Sequence, residues 1–291
     1  MFAVFTDTSA NIDTPMAHQR AITVIPFSYY IDGVEQTCTE TEGFDGKAFY
    51  SAMRAGVKVT TSQVTPQRYV DYMTATLEAG QDILFVGLSS GVSGSFQSAN
   101  LAAAELLEKF PERKIELIDT LGAGLGEGLI ALRAAELRDE GVELGEAAAE
   151  LRRMVPKMCQ LFTVDDLKYL RATGRLSAVK AAVGAVLHIK PLLKGNERGQ
   201  IVSFENVRGR KNAIRAMAER YEQYVVDADK QIIGISQADC EADLAMLIEL
   251  INKNKPPKGI ISVAHEPGTG AHVGPGMLAV FFLGSEDFRG A

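Results

Sequence analysis

The sequence predicts an α/β fold of two domains. Short apolar runs alternate along the chain with segments of helical periodicity, which is the pattern of α/β proteins. The chain has 291 residues, and because a single hydrophobic core stops growing at roughly 250 to 300 residues, two domains are favoured over one. A composition of 46% hydrophobic and 23% charged residues is typical of a folded protein and disfavours disorder, collagen-like repeats and coiled coils.

The first predicted domain, residues 1–157, is an α/β domain with a mostly parallel sheet. Crossover connections with helices between the strands favour parallel pairing. The helix at residues 66–79 is well supported, because apolar residues recur every four positions from Tyr69 and Pro66 occupies the first turn, where no N–H is needed. The predicted strands are at residues 2–5, 22–30, 83–87 and 115–118, and the predicted helices are at residues 49–54, 66–79 and 98–110.

The second predicted domain, residues 158–291, is an α/β domain with a mixed or antiparallel sheet. Gly195, Asn196 and Gly199 are typical of a hairpin turn between two strands, which predicts antiparallel pairing. A helix at residues 146–158 precedes this domain. The predicted strands are at residues 161–164, 192–194, 201–207, 232–236, 260–263 and 277–283, and the predicted helices are at residues 177–188 and 241–253.

Charge and cysteine content limit the partners and the compartment. The net charge of −7 disfavours non-specific nucleic-acid binding, which depends on Lys and Arg. The N-terminus lacks a basic start and a long apolar run, so neither a signal peptide nor a membrane anchor is predicted. Cys38, Cys159 and Cys240 form no C-x-x-C pair, which suits reduced thiols. We therefore expect a cytoplasmic protein with only transient membrane association.

A glycine-rich segment at residues 122–128 resembles a dinucleotide-binding loop but does not fit its spacing. The glycines alternate, and Glu127 occupies the third glycine position, where a carboxylate would repel a pyrophosphate. We interpret the segment as the entry to a close-packed helix. A metal site is also disfavoured, because only Glu266 lies near His265 and His272. No cofactor and no metal are predicted.

Residues 87–91 fit the nucleophile-elbow pattern G-x-S-x-G after a predicted strand. Ser89 would then be the nucleophile of a serine hydrolase. Against this alternative, a polar loop intervenes where a helix should begin at once, and no oxyanion segment precedes it. The candidate partners of Ser89, in the required chain order, are Asp227 or Asp239 and His265 or His272.

Three hydroxyl-rich loops at residues 6–9, 60–63 and 89–95 lie at the ends of predicted elements. In open α/β sheets such loops converge on the ligand crevice, and helix N-termini there offer N–H groups to an anion. Hydroxyls can donate to a carboxylate without adding a full charge. Such residues also form helix caps and turns, as expected for Thr65 before Pro66. Three loops in one half of the chain favour a site for a small anionic group.

Two basic clusters could bind a phosphate or an acidic partner protein. The second cluster lies at the start of a predicted helix, where positive charge opposes the helix macrodipole and needs another reason to be there. A solvated basic face is the alternative. The clusters are Lys168, Arg171 and Arg175, and Arg208, Arg210, Lys211 and Arg215.

A series of short motifs runs along the whole chain, in the order TDTSA, VIPFSYYIDG, TTSQVTP, GLSSGVSGSFQSA, IDTLGAGLGEG, FTVDDLKYLRATGRLS, HIKPLL, ENVRGRKNA and HVGPGMLAVFF. Together these motifs resemble the DegV family of bacterial lipid-binding proteins. The resemblance implies two α/β domains with the ligand between them, and one long-chain fatty acid in an apolar tunnel. It also implies a non-catalytic role, in which the protein presents the fatty acid carboxylate to a separate ATP-dependent fatty acid kinase that forms the acyl phosphate.

The resemblance also implies roles for individual residues. Ala172 and Thr173 depart from the family pattern, which has a basic residue and a glycine there, and Val64 replaces a common proline. The carboxylate-binding residues implied are Thr61, Ser62, Ser93, Gly94 and His272. The residues implied to face the kinase are Arg171, Arg175 and Arg208.

Overall fold

The computed structural model describes residues 2–176, 189–285 and 287–290. Contacts within the chain divide it into two compact units. The first unit contains Met1–Phe44 and Val59–Val155, and the second contains Asp45–Lys58 and Pro156–Ala291. The predicted helix at residues 177–188 lies outside the described residues, and the domain limits 1–157 and 158–291 stay a prediction.

The first unit is built on a parallel sheet. Its strands are β1 (Phe2–Asp7), β2 (Ile22–Ile25), β3 (Ser28–Ile31), β4 (Val34–Gln36), β5 (Val59–Ser62), β6 (Asp82–Gly87) and β7 (Ile115–Asp119). A four-stranded sheet has the order β2-β1-β6-β7 with every pair parallel. A three-stranded antiparallel sheet has the order β4-β3-β5.

The prediction of a single strand at residues 22–30 is wrong, because β2 and β3 belong to different sheets. Pro26 lies between them and has no N–H to donate to a strand neighbour, so the chain leaves the parallel sheet there. The next N–H, of Phe27, donates to Thr8 Oγ1 over 3.0 Å.

Local capping sets the helix starts in the first half of the chain. α3 begins at Pro66 as predicted, and the Thr65 hydroxyl accepts the Arg68 N–H. α2 begins before the predicted residue 49, because Asp45 caps it. The helices are α1 (Thr14–Gln19), α2 (Gly46–Arg54), α3 (Pro66–Glu78), α4 (Ser95–Lys109), α5 (Leu125–Asp139) and α6 (Leu144–Met154), of which α2 belongs to the second unit.

Helices pack on both faces of the parallel sheet. α3 and α4 cover one face, and α5 and α6 contact β1, β6 and β7. Alternate side chains of a strand point to opposite faces, so Phe85 faces α3 and α4 while its neighbour Leu84 points the other way. The core under α3 and α4 includes Phe5, Ile25, Tyr69, Met73, Leu77, Ile83, Phe85, Ala99, Ala102 and Leu106.

The second unit is built on a six-stranded mixed sheet of order β10-β9-β8-β13-β11-β12. All neighbours are antiparallel except β11 and β12, which are parallel. The strands are β8 (Met158–Thr163), β9 (Ile189–Gly195), β10 (Ile201–Arg208), β11 (Ile232–Gln237), β12 (Gly259–Ala264) and β13 (Leu278–Leu283). The predicted α/β class and the predicted hairpin of β9 and β10 are confirmed.

Helices α8 and α9 pack on one face of the mixed sheet, against β-strand residues such as Leu161, Ile235 and Val280. The predicted helix at residues 146–158 is too long, because Pro156 cannot donate a helical hydrogen bond and β8 follows. The helices of this part of the chain are α7 (Lys168–Ala172), α8 (Arg210–Tyr224), α9 (Glu241–Asn254), α10 (Pro267–Val273) and α11 (Asp287–Gly290).

Candidate functional site

The structure brings together two of the hydroxyl-rich loops. One contains Thr61 and Ser62 at the end of β5, and the other joins β6 to α4. The Val64 N–H donates to Ser95 Oγ over 3.1 Å. The segment that carries Thr61 and Ser62 therefore packs against the segment that carries Ser93.

Gly94 lies at a close approach of these two segments. A β-carbon on Gly94 would overlap with Gln63 Oε1, so glycine allows the approach. The Gln63 side chain also donates from Nε2 to Ser98 Oγ over 3.3 Å. Sequence reasoning missed Gln63, because a loop glutamine gives no signal until the facing glycine is known.

Ser93 lies at the N-terminus of α4. Its Oγ accepts the Ser95 N–H at 3.2 Å and lies 3.0 Å from Ser95 Oγ. α4 begins at Ser95 rather than at the predicted residue 98, which brings its first turn to this loop. The N–H groups of a first turn have no helical acceptor, and together with the macrodipole they favour an anion.

The third hydroxyl-rich loop, residues 6–9, is buried and bonds to the protein itself. Thr6 Oγ1 donates to Glu127 Oε1 over 3.2 Å. Thr8 Oγ1 accepts the Phe27 N–H. These hydroxyls therefore hold the first unit together.

His272 lies on helix α10 of the second unit, where the sequence predicts a loop. Glu266 caps this helix, since its two carboxylate oxygens accept the N–H groups of Gly268 and Thr269 at 2.5 Å each. Pro267 occupies the first turn. The glycines of the segment concealed the helix, because glycine is a poor helix former.

The electrostatics of His272 make it a neutral hydrogen-bonding group. Burial, and then the charge of Arg175, lower the pKa of His272 to about 4. After α10 the chain turns at Gly274, whose φ is 76°, and a β-carbon there would overlap with the Tyr169 ring. The turn therefore packs against α7, which precedes Arg175.

His265 is part of a buried hydrogen-bond chain that fixes the start of α10. Its Nδ1 lies 3.2 Å from Ser236 Oγ, and its Nε2 lies 2.9 Å from Thr269 Oγ1. The Tyr50 hydroxyl donates to the His265 carbonyl over 2.7 Å. Burial lowers the pKa of His265 to about 3, so the ring is neutral and serves packing within the second unit.

The basic residues divide into exposed and structural ones. Arg171 on α7 and Arg208 at the end of β10 are exposed, and Arg175 is half-buried. Arg210 instead forms an ion pair with Asp243 at 2.8 Å, which joins α8 to α9. Arg171 and Arg208 are thus accessible to a partner and Arg175 is partly so, whereas the partly buried Arg210 is held by its ion pair within the second unit.

The position of Ser89 does not suit a catalytic nucleophile. Its residue is only 1% exposed, and its Oγ accepts the Gly91 N–H at 3.0 Å. A nucleophilic serine needs both access to substrate and a base at its hydroxyl.

The candidate acids of the hydrolase alternative are engaged elsewhere. Asp239 forms an ion pair with Arg54, and Asp227 lies 3.6 Å from Lys230. His265 bonds to two hydroxyls rather than to either aspartate. These contacts do not assemble a catalytic triad.

The described residues contain no group of three or more His, Cys, Asp or Glu side chains arranged to hold a metal ion. Cys38, Cys159 and Cys240 form no disulfide within the described residues. In the described ranges we find no helix that combines the length and the apolar character needed to cross a membrane.

A family model described as "Uncharacterised protein, DegV family" matches residues 1–285 of the chain. The chain belongs to the DegV family. A DegV domain-containing protein from Clostridium perfringens is 35% identical over 283 residues, and the match covers 97% of this chain and 97% of that protein. The resemblance found in the sequence motifs is confirmed.

Two solved DegV structures share this fold over nearly their whole length. DegV from Bacillus subtilis, described as a fatty acid binding protein, is 30% identical with a TM-score of 0.82, covering 98% of this chain and 99% of that chain. A DegV family protein from Thermus thermophilus, described for its fatty acid binding, is 25% identical with a TM-score of 0.87 and covers 98% and 99% of the two chains. The structural neighbours of this chain are therefore DegV proteins that bind fatty acids.

Proposed function

We propose that this protein binds one long-chain fatty acid and presents its carboxylate to a partner ATP-dependent fatty acid kinase, which forms the acyl phosphate. The observation that carries the proposal is the packing of the Thr61 and Ser62 segment against the Ser93 and Gly94 segment at the start of α4. This arrangement supplies hydroxyl and N–H donors without a fixed positive charge. The fatty acid binding of the DegV relatives supports the choice of ligand.

Neutral donors suit a carboxylate that must be held and later react. A buried carboxylate without donors would be protonated or expelled, because burying an unpaired charge is very costly. In the proposal the hydroxyls of Thr61 and Ser93 hold the carboxylate, and the role of His272 stays a prediction. These hydroxyls add no positive charge beside the oxygen that attacks the phosphoryl donor, and this chain itself performs no chemistry.

One face of the mixed sheet suits an acyl chain. Phe162 of β8 pairs with Leu193 of β9 and with Ala279 of β13, and their side chains point away from α8 and α9. Phe281 lies on the same face, where its strand neighbour is Gly234. Leu193, Ala279 and Phe281 are buried, so this apolar face is closed to solvent, as binding of an apolar ligand requires.

Denaturing extraction of the purified protein followed by mass spectrometry tests the ligand. We expect near-stoichiometric fatty acid, because burying about 15 methylenes at ~0.8 kcal/mol each gives roughly 12 kcal/mol before the costs of binding. The masses released would also show which acyl chains are accepted. An empty protein, or one that holds a molecule without an acyl chain, would contradict the proposal.

The same preparation distinguishes the hydrolase alternative. A fluorophosphonate probe labels an activated serine and spares a serine that only forms hydrogen bonds. We expect no label on Ser89. Labelling that disappears in Ser89→Ala would favour a serine hydrolase instead.

The proposal places the protein in the cytoplasm, together with the kinase. A substitution of the exposed Arg208 tests whether this residue contributes to docking of the kinase. Arg208→Ala should leave fatty acid binding unchanged and lower kcat/KM for acyl phosphate formation about tenfold, because exposed charges steer association with a partner. The measurement is phosphorylation of bound fatty acid by a bacterial fatty acid kinase at two salt concentrations.

Arg198→Ala is the matched control for Arg208→Ala. Arg198 is also exposed, but it lies in the hairpin turn at the other end of β10. Equal kinase rates for the Arg208 and Arg198 variants would remove Arg208 from the docking surface.

A further inference from the structure

Two buried carboxyl groups meet where β1 ends and α5 begins. Asp7 is the last residue of β1, Glu127 lies in the first turn of α5, and both residues are 0% exposed. Both carboxyls contact one hydroxyl, since Ser9 Oγ lies 2.5 Å from Asp7 Oδ1 and 2.6 Å from Glu127 Oε2. Within the described ranges neither carboxyl forms an ion pair with a cationic side chain.

A count of hydrogens fixes the total charge of this pair. A serine hydroxyl has one hydrogen and can donate to only one acceptor, and an ionised carboxylate only accepts. Ser9 therefore donates to one carboxyl, and the other carboxyl must be protonated. Its hydrogen can be donated to Ser9 Oγ or to the first carboxyl, because the Asp7 and Glu127 side chains also hydrogen-bond directly. Two ionised carboxylates at these distances would leave one short contact without a hydrogen and two charges buried side by side.

The donors around each group indicate which carboxyl is ionised. Asp7 accepts the N–H of Ser9 at 2.9 Å and the N–H of Leu88 at 3.2 Å, in addition to the Ser9 hydroxyl. Among the described residues, Glu127 accepts a hydrogen bond from the Thr6 hydroxyl and contacts Ser9 and Asp7, but no backbone N–H donates to it. N–H donors favour the charged form, so the charge belongs on Asp7 and the proton on Glu127. Burial and the charge of Asp7 both raise the pKa of Glu127 well above its usual value.

The groups that surround the pair do not change this assignment. From α3, Tyr69 is fully buried, its hydroxyl has no hydrogen-bond partner among the described residues, and burial together with the charge of Asp7 raises the pKa of Tyr69. The phenol is therefore neutral at every physiological pH. The other facing groups are the hydroxyls of Thr6 and Ser9 and backbone N–H groups, which do not titrate in this range.

We propose that Asp7, Ser9 and Glu127 share one retained proton at neutral pH and that this protonated pair positions the loop after β6. The Asp7 carboxylate accepts the Leu88 N–H and so fixes the first residue of the loop that leads to Ser93. Asp7 and Glu127 are positioning residues in this proposal and do not touch the ligand. The consequence for carboxylate binding rests on the proposed function, whereas the retained proton does not.

Isosteric amide variants test the assignment because their expected effects differ. Glu127→Gln keeps a neutral donor toward Ser9 and should fold normally. Asp7→Asn removes the charge that accepts the Leu88 N–H, so amide hydrogen exchange in the loop at residues 88–95 should be faster than in Glu127→Gln. Isotope-edited infrared spectra at neutral pH test the proton directly. We expect the C=O stretching band of one protonated carboxyl in the wild type, and we expect this band to be absent in Glu127→Gln.

The pH dependence of folding stability distinguishes a retained proton on Glu127 from a role of Glu127 in packing alone. Because the folded pKa of Glu127 lies above the unfolded value, the folded protein holds one proton more than the unfolded chain between those two pKa values. The folding equilibrium constant of the wild type, relative to Glu127→Gln, should therefore fall about tenfold per pH unit as the pH rises above about 5, until the folded pKa of Glu127 is reached. Glu146→Gln is the matched control, an exposed glutamate in the first turn of α6.

Either of two results would overturn the proposal: no protonated carboxyl band in the wild type at neutral pH, or a stability ratio of wild type to Glu127→Gln that stays constant with pH. A band lost in Asp7→Asn and kept in Glu127→Gln would reverse the assignment of the proton. If Asp7→Asn does not fold, the spectra of the wild type and Glu127→Gln still decide. None of these measurements uses a fatty acid, so they remain informative if the proposed function fails.

Discussion

A Thr61→Ala/Ser93→Ala double variant should lose bound fatty acid about 100-fold faster than the wild type. Each hydroxyl would donate a hydrogen bond to a carboxylate, and a hydrogen bond to a charged group contributes about 1.5–3 kcal/mol. Two such losses correspond to a factor of about 100 or more. The measurement is the rate at which labelled fatty acid transfers from the protein to an excess of albumin.

Thr60→Ala is the control for this experiment. Thr60 precedes Thr61 in β5 and is exposed, and its side chain points to the opposite face of the strand. It should retain the fatty acid like the wild type, and both variants should unfold at the wild-type temperature. A double variant that releases its ligand at the wild-type rate would remove Thr61 and Ser93 from the carboxylate site.

The sequence predicted the sheets of this protein better than the points where the chain changes sheet. The run of β6 is apolar on both faces, so its composition and its flanking helices indicate a parallel strand directly. The run at residues 22–30 is equally apolar, but its division into β2 and β3 depends on which N–H groups find ladder partners. Pro26 marked the position, although proline alone does not say that a second sheet begins there.

The packing of residues 45–58 within the second unit was not visible in the sequence either. This segment contains α2, and Tyr50 and Arg54 of α2 bond to His265 and Asp239 far along the chain. Periodicity reports which face of a helix is apolar, but it does not report which part of the chain covers that face.

The hydroxyl-rich composition of two loops predicted a shared site, and the contact of Val64 with Ser95 brings those loops together. The residues that sequence reasoning missed act through partners distant in the chain. In the sequence analysis Glu127 served only to exclude a dinucleotide-binding loop. Its contact with Ser9 could not be predicted, because the two residues are more than a hundred positions apart in the chain. Gln63 likewise gains meaning only from Gly94. Buried polar partners leave no periodic signal, so spacing could not reveal them.

Helix α10 carries the largest expected effect on stability, and the sign of that effect is diagnostic. Gly270→Ala in an ordinary helix would stabilise it by about 0.5–1 kcal/mol, because glycine is a poor helix former. Here a β-carbon on Gly270 would overlap with the Tyr50 hydroxyl of α2, which is itself bonded to the His265 carbonyl. Overpacking of this kind costs about 1–3 kcal/mol. We therefore expect Gly270→Ala to lower the unfolding free energy and, with it, the thermal midpoint by several degrees.

Two comparisons separate this packing effect from a general intolerance of alanine. Among the described residues, no atom outside the glycine's own stretch of helix lies within 4 Å of a β-carbon added to Gly145 of α6. Gly145→Ala should therefore leave the thermal midpoint unchanged or raise it. Tyr50→Phe removes the hydroxyl that a β-carbon at position 270 would meet, so adding Gly270→Ala to Tyr50→Phe should cost less than it does in the wild type. Strictly additive effects of these two substitutions would contradict the packing of α2 on α10, because residues in contact couple and residues apart do not.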